Sequence, residues 1–125
     1  PSTLFVYLTA PPDAPPGNER AFKVALKKIL GKPTLSDVSR TQGALARELN
    51  SWVVDAGGWL AGYPLKNVVV FDYYDALTGN GRSDLAFYPT GDGTDSHPSS
   101  EGNKAAGAAF PAFLNRAVRR AGLSE

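Results

Sequence analysis

The apolar positions of this chain fall into blocks of differing period, and each block predicts an element. Thr3 to Ala10, "TLFVYLTA", is an uncharged β-branched and aromatic run that stops at Pro11 and Pro12, so it predicts a buried strand. After the stiff connector "PPDAPPGN", Phe22, Ala25, Leu26, Ile29 and Leu30 recur at helical spacing. Asn18 is the candidate cap of that helix, and Gly31 and Pro33 form its stop. A second helical pattern starts at Leu35 or Val38 and runs through Leu45, Leu49, Trp52 and Val53. It breaks at Gly57 and Gly58 or continues to Gly62. Gly43 inside it costs about 1 kcal/mol relative to Ala, which leaves its start open.

Asn67 to Tyr74, "NVVVFDYY", is the continuous apolar run of a central parallel strand covered on both faces. From Thr78 to Ser96 the residues turn to Gly, Asp, Asn, Ser and Thr, the mark of a long surface loop. Ser99 to Ala121 then predicts an Ala-rich helix with Ala106, Ala109, Phe110, Phe113, Ala117 and Val118 inward. Glu101 lies at its positive end and Arg116, Arg119 and Arg120 at its negative end, and Pro111 predicts a kink. Strands alternating with long amphipathic helices imply an α/β fold with a parallel sheet and functional loops at the strands' carboxyl ends. Two strands are too few to hide their own edges and faces, so further strands are expected.

At 125 residues the chain is of single-domain length, so residues 1–125 are expected to belong to one domain. Thirteen Lys and Arg offset 12 Asp and Glu, which leaves no field to draw in nucleic acid or an anionic membrane. With no Cys, disulfides, thiolate metal sites and Cys nucleophiles are excluded. The longest purely apolar run, Val68 to Phe71, is far short of the roughly 20 residues that span a bilayer.

The candidate chemistry centres on the single histidine, His97, in "TDSHPSSEGN". A neutral imidazole takes a proton from a hydroxyl nucleophile and returns it to a leaving group, provided an acid at its other nitrogen fixes the tautomer. Asp95 reaches His97 if the segment is extended, because side chains at i and i+2 then share a side. Asp92 is the reserve acid. The competing reading is a surface or capping histidine ahead of Pro98.

"TDSHPSSEGN" with the Ala-rich helix after it resembles the last conserved block of the SGNH, or GDSL-type, hydrolases. The resemblance extends back through "FVYLTAPPD", "ARELNSWVVDAGGWLAGY" and "VVVFDYYDALTG". It implies a flavodoxin-like three-layer α/β/α fold and hydrolysis of small-molecule esters, such as lipids, acylated sugars or small acyl esters. The family uses a Ser nucleophile with no metal or other cofactor, and many of its members are secreted. By matching position, His97 is the general base. The family's usual acid lies three residues before the His, where this chain has Thr94, so the resemblance leaves Asp95 or a backbone carbonyl to orient the ring.

The family's Gly-Asp-Ser nucleophile block and the Gly and Gly-x-Asn-Asp segments of its oxyanion hole have no counterpart in this sequence. The resemblance therefore implies the carboxyl-terminal half of such a domain, and the missing blocks are expected upstream of Pro1, on the order of 100 residues or more. Ser96, Ser99 and Ser100 are the local alternatives to an upstream nucleophile, with Ser99 or Ser100 also the expected helix cap. Asp72, Asp75 and Asp84 match no Ca²⁺ loop, and "TGNGRSD" lacks the Lys of a phosphate loop. Tyr73, Tyr74, Phe87 and Tyr88 either line an apolar pocket at the loop mouth or simply pack beneath the loop. Outside the hydrolase class, the sequence also fits a non-catalytic α/β interaction module.

Overall fold

The computed structural model describes residues 2–90, 95 and 97–123. Among them the elements run β1 (Phe5–Leu8), α1 (Ala21–Ile29), α2 (Leu35–Val54), β2 (Val68–Phe71), α3 (Tyr73–Leu77) and α4 (Ser100–Ala121). The fold is mixed α/β, with four helices among the described residues and a two-stranded parallel sheet. Phe5 stands opposite Val68, and the register runs on to Leu8 opposite Phe71.

Local chemistry sets the boundaries. α2 begins at Leu35 because Thr34 and Asp37 form a reciprocal capping box: Thr34 Oγ1 accepts from the Asp37 amide at 3.2 Å, and Asp37 Oδ2 accepts from the Thr34 amide at 3.0 Å. The Thr34 hydroxyl, donating to Asp37 Oδ2 at 2.7 Å, and then the Thr34 amide hold the Asp37 carboxyl below its ordinary value. The helix ends at Val54, where the Asp55 side chain turns to accept from the Gly57 amide at 2.7 Å. α4 is capped by Ser99, whose hydroxyl accepts from the Gly102 amide at 3.2 Å, and it closes on Gly122 in the left-handed conformation, φ 67°. Pro111 lies within its span.

Three expectations are corrected. Asn18 does not cap α1; the helix starts at Ala21, and its N-cap Arg20 makes no side-chain cap bond. Neighbouring Glu19 instead accepts from the Leu35 amide at 2.9 Å and pairs with Lys27, tying α1 to the start of α2. The second strand stops at Phe71 rather than Tyr74. Asp72 accepts from the Asp75 amide at 2.9 Å and so nucleates α3, a helix the apolar run concealed. The first strand is likewise shorter than Thr3 to Ala10, because Thr9 turns its side chain to Asp72 and Tyr74.

The core gathers on β2, where Val69 and Phe71 are buried together with Tyr74, Leu77, Ala106 and Ala117. Phe71 meets Phe110 and Phe113 of α4, each at a centroid distance of 5.1 Å. On the opposite face of the sheet Tyr7 packs on Trp59 at 5.3 Å. β1 shares little of this cover: Phe5 is 58% exposed, Tyr7 and Leu8 are also exposed, and α1 contributes no buried residue.

Candidate functional site

The carboxyl ends of both strands carry polar residues that fix the chain beyond them. Thr9 is buried; its hydroxyl donates to Asp72 Oδ1 at 3.3 Å and accepts from the Tyr74 amide at 2.7 Å. Burial pushes the Asp72 carboxyl above its ordinary value, against the pull of the Asp75 amide. Past α3 the loop reverses through Gly79, Asn80 and Gly81, all with positive φ. Gly79 is required twice over, since a Cβ there would also stand 2.8 Å from the Phe87 ring.

Arg47 of α2 organises this loop. Its guanidinium donates to Asp75 Oδ1 at 2.9 Å, Asp84 Oδ1 at 3.1 Å, Thr78 Oγ1 at 2.7 Å and the Ser83 carbonyl at 2.6 Å, and it stacks over the Tyr74 ring at 4.8 Å. The Tyr74 hydroxyl donates to the Asp84 carbonyl at 2.7 Å. Asp75 and Asp84 are thus partners of an arginine, and Asp72 is a helix cap. Among the described residues no three acidic or histidine side chains come together as a metal site.

The loop then reaches the histidine. Asp95 makes an isolated antiparallel bridge with Thr90, and the Thr90 hydroxyl donates to the His97 carbonyl at 2.7 Å. Asp95 Oδ1 accepts from the His97 backbone amide at 2.9 Å and lies 2.5 Å from His97 Nδ1. These bonds, the amide first and the ring second, hold the Asp95 carboxyl below its ordinary value. In a neutral ring with a carboxylate as acceptor at Nδ1, that nitrogen carries the proton and Nε2 the lone pair. The His97 side chain is 87% exposed, and no described residue bonds Nε2.

Beyond His97, Asn103 in the first turn of α4 donates to the Pro98 carbonyl at 3.3 Å and accepts from the Tyr73 hydroxyl at 3.0 Å. That pair borders an open cleft of about 330 Å³ whose apolar lining includes Leu8, Phe71, Ala106 and Phe110. Tyr73 therefore lies at a pocket mouth, while Tyr74 is core. Phe87 and Tyr88 pack edge-on to each other at 5.1 Å, beneath the loop.

Asp95 and His97 are brought together as an oriented pair, and Ser99 is committed to its cap. Asp92, Thr94 and Ser96 lie outside the described residues. Sequence reasoning did not find Arg47, Thr9, Thr90 or Asn103. Only Asn103 carried a signal, as the last residue of "SHPSSEGN"; Thr9 and Arg47 act through residues distant in sequence, and Thr90 through contacts within its own loop. Compared with protein-family models, curated proteins and solved structures, the chain matches none of them.

Proposed function

We propose that this chain is the general-base part of a serine-dependent ester hydrolase of the SGNH type, built on a flavodoxin-like sheet of which it supplies two strands. The observation that carries the reading is the Asp95–His97 pair, with Nδ1 held at 2.5 Å and the ring otherwise open to solvent. The acid stands one place later than in the family pattern, and from there Asp95 Oδ1 reaches Nδ1. Loops at the carboxyl ends of parallel strands are where α/β proteins assemble such sites, and His97 follows β2 through that side of the sheet.

In the complete site a Ser supplied by another polypeptide segment attacks the acyl carbonyl while its hydroxyl proton passes to His97 Nε2. The tetrahedral adduct then breaks the acyl–oxygen bond, and the leaving alcohol takes the proton from His97. A water molecule repeats the sequence on the acyl-enzyme and returns the free acid and the Ser hydroxyl. Asp95 keeps the ring in the tautomer that can accept, and stabilises the imidazolium while it lasts.

A Ser-directed fluorophosphonate tests this reading. The chain alone is expected to stay unlabelled, whereas the chain joined to a segment bearing the nucleophile is labelled at that Ser, and His97→Ala abolishes the labelling. Labelling of Ser99 or Ser100 in the chain alone, lost in His97→Ala, would move the nucleophile into this chain. Labelling of the joined protein that ignores His97 would contradict His97 as the base, and no labelling of the joined protein would leave a non-catalytic module as the better account.

A further inference from the structure

α1 (Ala21–Ile29) packs with its apolar face outward. Helical spacing sets Phe22, Ala25, Leu26 and Ile29 on one face, with Leu30 continuing it, and sets Val24 and Lys27 on the opposite one. The face turned inward is that of Val24 and Lys27, the two half-buried residues of the helix, and Lys27 pairs with Glu19. The stripe faces solvent. Phe22 is 78% and Ile29 82% exposed, Leu26 and Leu30 are exposed beside them, and no residue of the helix is buried. Amphipathic helices ordinarily turn such a stripe to the core, so one turned to solvent marks a surface for an interaction.

The charge around the stripe says what covers it. The even balance of the whole chain conceals an uneven one: residues 20–32 hold five of its 13 basic side chains, Arg20, Lys23, Lys27, Lys28 and Lys32, and no acid, while the rest of the chain carries eight against 12. Of the five, Lys27 alone forms an ion pair among the described residues. At helical rotation Lys23 and Lys28 fall on the two borders of the stripe, where their stems extend along apolar surface and their ammonium groups reach past it. A protein partner fits this poorly, because protein interfaces are depleted in Lys. A nucleic acid has no use for Phe22 and Ile29, because contacts to phosphates are polar. An anionic bilayer takes both features at once, with apolar side chains at the acyl boundary and cations among the lipid phosphates.

We propose that α1 is an interfacial helix that seats this protein on an anionic membrane, with Phe22, Leu26, Ile29 and Leu30 at the acyl boundary and Arg20, Lys23, Lys28 and Lys32 among the headgroup phosphates. At 9 residues the helix is far too short to span the bilayer, and it lies in the plane of the headgroup layer. The seat stands on α1 alone and does not depend on the hydrolase reading.

The test is co-sedimentation of the chain with vesicles of phosphatidylcholine alone and of phosphatidylcholine with about 30% phosphatidylserine. Binding to the anionic vesicles is expected to be at least about 10-fold tighter than to the neutral ones, and to fall about 10-fold or more between about 0.1 and 0.5 M salt. Phe22→Ser and Ile29→Asn change exposed side chains, so the chain melts as before, while the pair together weakens binding about 100-fold. Lys23→Gln with Lys28→Gln weakens it about 10-fold. A polarity-sensitive dye on Ile29→Cys, in a chain with no other thiol, shifts to the blue with the anionic vesicles and not with the neutral ones. No binding to the anionic vesicles, equal binding to both kinds, binding that survives the loss of Phe22 and Ile29, or a dimer of this chain that those two substitutions dissolve would each overturn the proposal. No ester hydrolysis is read, so the membrane seat and the catalytic reading can fail separately.

Discussion

Thr9 and Asp72, the residues that follow the two strands, are hydrogen-bonded to each other at 3.3 Å across 63 positions of sequence. Their bond ties the sheet's carboxyl end to the first turn of α3, because Asp72 also accepts from the Asp75 amide and Thr9 from the Tyr74 amide. The cost is a partly buried carboxylate.

Asp72→Asn keeps both acceptor bonds and removes the charge. Since burial raises the Asp72 carboxyl above its unfolded value, the folded state binds more protons, and its stability falls as pH rises from the unfolded value through the raised one. Asp72→Asn is therefore expected to melt higher than the parent at neutral pH and to match it at acid pH, where Asp72 is already neutral. Thermal melts across the carboxylate range check this.

Arg47 holds four acceptors on α3 and the loop after it. Its guanidinium is displaced upward from its ordinary pKa: burial pushes it down, and the bonds to Asp75 and Asp84 outweigh burial. Arg47→Ala leaves those acceptors unmatched and is expected to lower stability by about 2–4 kcal/mol in denaturant titrations. Arg47→Lys recovers little of it, because a point charge cannot span the fork.

Gly43 lies where α2 crosses the loop, and a Cβ there would stand 2.9 Å from the Asp84 carbonyl oxygen. Gly43→Ala improves helix propensity by about 1 kcal/mol yet forces the loop outward. The net effect expected is a loss of about 1–2 kcal/mol, read in the same titrations. Stabilisation by the Ala would show that the loop yields freely.

Part of the fold was legible in the sequence because periodicity and cap residues report element type, although the apolar stripes they mark on α1 and α2 are largely exposed. The α4 limits and the parallel strand around Val68 to Phe71 follow from that, and Ser99 was readable as a cap from residue type. α3 was not legible: "FDYY" is apolar at both strand and helix spacing, and the choice was made by Asp72 reaching the Asp75 amide. Gly43 read as a weak point in α2 because its reason, the Asp84 backbone, is 41 residues away. The Asp95–His97 pair could be stated only as a condition on the backbone. The contacts that fix Asp95, its bridge to Thr90 and its bond from the His97 amide, are made within the long loop, and no local pattern encodes them.

The central claim is that His97 moves the proton. Its most direct measurement is kcat for hydrolysis of a chromogenic acetyl ester by this chain assembled with the nucleophile-bearing segment. His97→Ala is expected to lower kcat by about 1,000-fold, since the proton transfer itself is lost, and Asp95→Ala by about 10-fold, since the tautomer and orientation can be partly held by other groups. Full activity in His97→Ala, with the variant folded and assembled, would contradict the account.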